Sequence, residues 1–301
     1  MNLDTIKLFV KNPDRIFTTL GSKGLLNWMP DNIYVYIYSS LSLGYSVNLK
    51  NPRTFNEKLQ WLKLYDRKPI YTQMSDKYAV REFITEKIGE DYLIPLVGGP
   101  WNSVEEIDFD SLPEKFVLKT THDSGGVVIC RDKANFDIDA AKTKLAKKMK
   151  KNYFYGNREW PYKGVVPRII AEQYMEDKAE TALMDLKFFC FNGEPKVMYM
   201  TKETVDDSIV DFFDMEFNHL DIRMEENFSE FPPEKPANFD EMKNLAAVLS
   251  KDIPHLRVDF YSINQKTYFG ELTFYHNSGT THIYPLEWEK IWGDWIKLPS
   301  K

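Results

Sequence analysis

Residues 256–279, LRVDFYSINQKTYFGELTFYHNSG, constrain the fold more than any other stretch. The run 256–261 alternates apolar with charged or polar residues, and so does 268–274; Ile263, Asn264, Gln265 and Lys266 lie between them. Period-two alternation on both sides of a short polar break predicts an antiparallel hairpin of half-buried strands. Asp259 and Glu271 stand four or five residues from the turn on either side, so a hairpin of that register places them side by side on one face. Adjacent carboxylates repel unless a cation lies between them. A hard metal such as Mg²⁺ does this, held by one or two carboxylates and by substrate phosphates. Taken alone, the hairpin reads more readily as a solvated sheet face with incidental acids.

The net charge of −6 excludes a general nucleic-acid binder, which would carry a basic face. The two cysteines, Cys130 and Cys190, sit in apolar runs and read as reduced, buried thiols. The five histidines show no metal-ligand spacing. The start, MNLDTIKLFVKNPDR, lacks the pattern of a secretory signal, and the apolar run 33–38 is too short to cross a bilayer. The expectation is a cytoplasmic protein without a transmembrane segment, with peripheral membrane contact through the first 30 residues left open.

Residues 1–75 read as helical, with a capping box from Thr54 to Glu57 opening a helix over 55–65. A further helix is expected from Ser75, with Lys77 and Arg81 sharing a face that suits an anion or plain solvent. Pro95, Gly98, Gly99 and Pro100 mark a boundary at 92–104. Strands are expected over 114–119 and 127–130 around the Gly- and Ser-rich loop 120–126, whose backbone N–H groups can meet phosphate oxygens. Lys119 adds a point charge at its base. The run 135–152 is a Lys-rich helix, most simply a solvated face, and 153–163 a loop. Strands follow at 168–175, 185–191 and 196–200, then a helix over 240–250 and a Trp-rich surface segment at 281–301.

In this order the pieces TFNEKLQWLKLYDR, SDKYAVREFI, FVLKTTHDSGG, RIIAEQYM, DLKFFCFNG and RVDFY with GELTFYHNSG resemble the TupA-like (teichuronopeptide-biosynthesis) ATP-grasp family over about residues 45–290. The resemblance implies an α+β ATP-grasp fold in which two lobes with antiparallel sheets grip ATP, preceded by a helical N-terminal region. The expected division is a helical region at 1–75, a pre-ATP-grasp segment at 76–115, a lid subdomain at 116–175 and a C-terminal lobe with the metal site at 176–301. Lys77 and Lys119 resemble the nucleotide-contacting lysines, and the loop with His122, Ser124, Gly125 and Gly126 resembles the phosphate lid. Glu172, Gln173 and Met175 resemble the adenine hinge, and Asp177 or Glu180 holds the ribose. Lys187 resembles a phosphate-contacting lysine, Arg257 the cation that steadies an acyl phosphate, and Asp259 and Glu271 the Mg²⁺ ligands. Thr273 stands where many relatives carry Asn, a weaker third ligand.

The implied activity is ATP-dependent amide formation with ATP and Mg²⁺ as cofactors. A uronic acid of a surface or capsular polysaccharide, or its precursor, would be joined to an amino acid or amino sugar. Arg158, Trp160, Lys163 and Arg257 are the acceptor-pocket candidates. The competing readings are a glycosyltransferase using Asp108/Asp110 or Asp137/Asp139, a kinase on the same scaffold, and a binding module with a degenerate site.

Overall fold

The computed structural model describes residues 13–178, 183–203, 208–224, 229 and 231–300. Glu180, the second ribose candidate, lies outside them. Helices come first: α1 (Pro13–Ser22), α2 (Asp31–Leu43), α3 (Phe55–Tyr65), α4 (Ile70–Ser75) and α5 (Val80–Lys87). The capping box opens α3 as expected. Thr54 Oγ1 accepts the Glu57 N–H at 3.3 Å, and Glu57 Oε2 accepts the Thr54 N–H at 3.3 Å. The same carboxylate also takes the N–H groups of Asn48 (2.8 Å) and Arg53 (2.9 Å), so one buried acid serves three backbone donors.

The helix expected from Ser75 begins later. Asp76 Oδ1 accepts from the N–H groups of Tyr78 (2.8 Å) and Ala79 (3.2 Å), a local turn that competes with helix. Lys77 therefore sits in the turn ahead of α5 and is not stacked with Arg81 on one helical face.

Strands β1 (Leu96–Trp101), β2 (Phe116–Thr120), β3 (Val127–Cys130) and β4 (Ile169–Gln173) form an antiparallel sheet ordered β1-β4-β2-β3. The boundary expected at 92–104 is thus corrected: it holds an edge strand. The Gly and Pro residues kink β1 through two register shifts without ending it. At Gly99, with φ +89°, a Cβ would lie 2.8 Å from the Ile169 carbonyl oxygen. Helix α6 (Ile138–Met149) packs on this sheet through Leu145, beside Phe116, Leu118 and Ile169. The expected loop 153–163 instead contains α7 (Phe154–Asn157) and a 3₁₀ turn (Trp160–Gly164).

The second sheet, also antiparallel, has the order β10-β9-β5-β6-β7-β8. Its strands are β5 (Met184–Phe191), β6 (Glu194–Glu203), β7 (Ser208–Asp214), β8 (His219–Leu220), β9 (His255–Ile263) and β10 (Lys266–Thr273). Strands β7 and β8 have no counterpart in the sequence reading. Helix α8 (Phe239–Leu249) packs on the sheet through Phe239, Met242 and Ala246. The segment 281–301 does not simply wrap the surface. Its helix α9 (Glu287–Trp295) inserts Trp292 between the rings of Phe55 (5.2 Å) and Phe189 (4.8 Å). Gly293 makes the approach to α3 possible, since a Cβ there would lie 2.1 Å from the Arg53 carbonyl oxygen. Among the described residues no helix is long and apolar enough to cross a membrane.

His255 lies in this aromatic core, 5.0 Å from the Phe55 ring and 5.1 Å from Phe191. Burial pushes its pKa down to about 3, so the native imidazole is neutral. An unfolded histidine protonates near pH 6.5, so the unfolded state takes the proton first as pH falls. Stability should drop by about 1.4 kcal/mol per pH unit from about 6.5 towards 3 on this account. His255→Phe should remove that contribution. Urea unfolding at pH 7 and pH 5 should show a shallower decline for the variant, and equal declines would refute the assignment.

Candidate active site

A cleft of about 380 Å³ opens between the two sheets. Val117, Lys119, Val127 and Glu172 line it from the four-stranded side, and Lys187, Asp259, Tyr261 and Glu271 from the six-stranded side. Leu93, Ile94 and Phe269 make part of it apolar, a suitable slot for a flat ring. The chemistry gathers at the six-stranded side, where Lys187, Asp259 and Glu271 are cross-strand partners in one row over β5, β9 and β10.

The register of β10 explains that row. Up to Phe269, opposite Phe260, the hairpin pairs residue for residue. A bulge at Gly270 then brings Glu271, and not Gly270, opposite Asp259. A Cβ on Gly270 would lie 3.0 Å from the Asp259 carbonyl oxygen and 3.2 Å from the Tyr261 ring, so the bulge suits a residue without one.

The cation between the two carboxylates is Arg257. Its Nε donates to Asp259 Oδ1 at 2.7 Å, and its Nη2 donates to Asp259 Oδ2 at 2.6 Å and to Glu271 Oε1 at 2.9 Å. Nη1 reaches His276 Nδ1 at 2.7 Å. Lys187 Nζ donates to Asp259 Oδ2 at 3.0 Å and also to Asp185. Burial would raise the Asp259 pKa, but Arg257 and Lys187 outweigh it and hold the carboxyl below its ordinary range. Burial would likewise lower Lys187, but Asp259 and Asp185 keep its ammonium well above the usual lysine value. Burial raises Asp185 to about 6, against the pull of Lys187.

These residues fit a hard divalent cation as a shared site only. Among the described residues no group of three or more His, Cys, Asp or Glu is placed to hold a metal. Asp259 and Glu271 offer oxygen donors, the Glu271 side chain is 45% exposed, and further ligands would have to come from a substrate. Thr273 Oγ1 approaches Glu271 Oε1 at 3.4 Å.

On the opposite side Lys119 Nζ donates to Glu172 Oε2 at 2.5 Å, and Arg81 lies 3.8 Å from Glu172 Oε1. The Glu172 carboxylate is therefore committed to two cations. Lys77 Nζ donates to the Asp123 carbonyl at 2.5 Å. Burial lowers the Lys77 pKa, opposed by Glu271 and Asp123. In the 120–126 loop, Ser124 and Gly125 line the cleft, while His122 is only 2% exposed, with Nε2 3.3 Å from the Lys148 carbonyl oxygen. Gly126 has no room for a Cβ, which would lie 1.6 Å from Thr120 Oγ1.

Of the residues singled out from sequence, Lys77, Lys119, Ser124, Gly125, Glu172, Gln173, Met175, Lys187, Asp259 and Glu271 meet at this cleft. Arg158, Trp160 and Lys163 do not line it. Arg158 is 1% exposed, stacked 4.0 Å from the Tyr34 ring, with Nη2 on the Leu26 carbonyl. Trp160 lies under Arg67 at 5.0 Å, and Lys163 is exposed over the Phe154 ring at 5.0 Å. Arg257 has committed four of its five N–H groups. Asp177 Oδ2 accepts the Asn264 N–H at 2.5 Å and so caps the β9–β10 turn. His276 was missed because its partners Arg257 and Met224 lie far from it in the chain, and Asp185, though next to Lys187, because the Asp259 that shares that lysine is distant in the chain. The Asp-x-Asp pairs serve caps: Asp108 Oδ1 accepts from the N–H groups of Asp110 and Ser111, and Asp137 Oδ1 from that of Ala140.

Similar solved structures include the D-alanine–D-alanine ligase of Bacillus anthracis (17% identity, 67% of this chain and 57% of that one, TM-score 0.40). The D-alanine–D-alanine ligase of Helicobacter pylori matches at 12% identity, over 81% of this chain and 69% of that one, with a TM-score of 0.42. N5-carboxyaminoimidazole synthase of Aspergillus clavatus, in complex with ADP and its ribonucleotide, matches at 15% identity over 68% and 46%, with a TM-score of 0.41. This chain thus spans little more than half of the Bacillus anthracis ligase. Such distant likenesses carry no argument about activity, and no curated protein matches significantly. The sequence model for TupA-like ATPgrasp matches residues 57–297, well over half of the chain, and the protein therefore belongs to the TupA-like ATP-grasp family.

Proposed function

We propose that the protein is an ATP-dependent ligase that joins a carboxylate to an amine through an acyl phosphate. The observation that carries this reading is the convergence of Lys77, Lys119, Lys187, Asp259 and Glu271 on one cleft in a chain of this family. The difficulty in such a reaction is to bring an anionic carboxylate to an anionic triphosphate. Lys77 and Lys119 would offset the charge of the phosphates, while the apolar slot beside Leu93, Ile94 and Phe269 takes the base. Gln173 and Met175, at the end of β4, would meet its edge.

Asp259 and Glu271 would hold Mg²⁺ together with phosphate oxygens, and the ion would supply Lewis-acid withdrawal of charge from the transferring phosphoryl group. Arg257 fixes the geometry of these acids. The third proton of Lys187, which lines the cleft, remains for the oxygens of the reacting group. Transfer of the γ-phosphoryl group to the carboxylate gives an acyl phosphate and ADP; attack by the amine gives the amide and releases phosphate and a proton. The best substrate candidate is a uronic acid of a surface polysaccharide or its precursor, joined to an amino acid or amino sugar. This choice rests on the family name, not on a contact within the cleft.

ADP release should require ATP, Mg²⁺, carboxylate and amine together, with an amide seen by mass spectrometry. A phosphorylated end product would point to a kinase instead. Glu271→Gln should lower kcat about 100-fold or more, by analogy with loss of one preorganised electrostatic group. Unchanged turnover in that variant would remove Glu271 from the site.

ATP with Mg²⁺ at about 100 times its Kd should stabilise the wild-type protein by about 2.7 kcal/mol. Lys119→Ala should reduce that gain at the same ATP concentration, whereas UDP-sugars should give none in either protein. Stabilisation by a UDP-sugar but not by ATP would favour the glycosyltransferase reading.

A further inference from the structure

The Lys-rich helix α6 is not only a solvated face. Lys144 and Lys148, one turn apart, reach back to the hairpin that α6 covers. Lys144 Nζ donates to the Val127 carbonyl at 2.7 Å, and Lys148 Nζ donates to the Ser124 carbonyl at 2.9 Å. Lys148 Nζ also lies 3.2 Å from Asp123 Oδ2. Asp123 is 3% exposed and is the one acid in the 120–126 loop. Its other carboxylate oxygen accepts from Thr120 Oγ1.

These contacts orient the loop. In a trans peptide the carbonyl and the following N–H point to opposite sides. With the Ser124 carbonyl drawn to Lys148, the Gly125 N–H points away from that ammonium. Ser124 and Gly125 line the cleft and Lys148 does not, so the free side of this peptide is the cleft side. Gly125 has φ +78°, which a glycine adopts without cost from a Cβ. Lys77 draws the preceding carbonyl, that of Asp123, at 2.5 Å, so two lysines on different elements hold successive peptides.

We propose that Lys148 is the positioning residue of the phosphate loop: it turns the Gly125 N–H towards a phosphate oxygen of the bound nucleotide and neutralises Asp123, which would otherwise repel the phosphates. The role rests on the reading of the cleft as an ATP site.

The test compares wild type with Lys148→Met, which keeps the apolar stem, with Lys148→Arg, and with Lys147→Met on the exposed side of α6. Kd values for ATP, ADP and AMP are measured by calorimetry with Mg²⁺ present, alongside KM and kcat. Lys148→Met should weaken ATP and ADP binding by about 10- to 100-fold, the loss of one hydrogen bond to a charged group. AMP binding should stay at the wild-type value. KM for ATP should rise more than kcat falls, Lys148→Arg should recover most of the loss, and Lys147→Met should match wild type. Should Lys148→Met not fold, Lys148→Gln, with a neutral donor for the Ser124 carbonyl, carries the same measurements. Wild-type affinity for ATP in Lys148→Met, or in Lys148→Gln where it stands in, overturns the role. So does an equal loss for ATP and AMP, which would mark general damage to the cleft. If wild type itself binds no adenine nucleotide, the ATP reading fails and takes this role with it.

Discussion

The arrangement depends on one guanidinium shared between two carboxylates. Arg257 is 7% exposed and Asp259 1% exposed, so their charges are largely removed from water. Burying ions is costly unless nearly every donor and acceptor finds a partner. Here Arg257 bonds Asp259 twice, Glu271 once and His276 once, and Lys187 supports Asp259 from β5. The network stands on a cross-strand row, so strand register and electrostatics specify each other. Slipping β10 by one residue would turn Glu271 towards the core face and leave Arg257 with an unmatched N–H.

Much of this was legible in the sequence because strand periodicity and carboxylate spacing are local. The hairpin, its turn and the pairing of Asp259 with Glu271 follow from residues 256–279 alone. The bulge was legible too, though the alternation reading passed over it. Buried Phe269 and Leu272 are three apart, a break in period two, and Gly270 lies inside that break. What the sequence did not disclose depends on distant packing. Arg158 reads as an acceptor-pocket candidate, yet it lies against Tyr34 and forms an ion pair with Asp31 at 3.2 Å. The Gly-Gly-Pro stretch reads as a chain boundary, yet β1 uses the same residues to follow β4.

The position of Lys77 shows how a small local error can matter. The side chain of Asp76 satisfies two backbone N–H groups, and the helix starts after it. Asp76 also pairs with Arg168 at 2.6 Å, next to the start of β4. The turn is thereby fastened to the four-stranded sheet, and Lys77 projects from a braced loop to the Asp123 carbonyl in the middle of the 120–126 loop. A helix from Ser75 would have placed its side chain on another course.

Beyond β10 the chain enters a tight turn in which Asn277, Ser278 and Gly279 all have positive φ, at 44°, 56° and 61°. Such backbone persists only when its surroundings impose it. The imposing groups come from α3: Gln60 Nε2 donates to the carbonyls of Ser278 (2.9 Å) and Gly279 (2.7 Å), and buried Lys63 donates to the carbonyl and hydroxyl of Ser278 at 2.7 Å each. The turn follows the strand that carries Glu271 and includes, two residues before Ser278, the His276 that steadies Arg257. A helix more than 200 residues upstream therefore acts as a splint for the acidic end of the cleft. Trimming the chain to its two sheets would remove that splint along with the N-terminal helices.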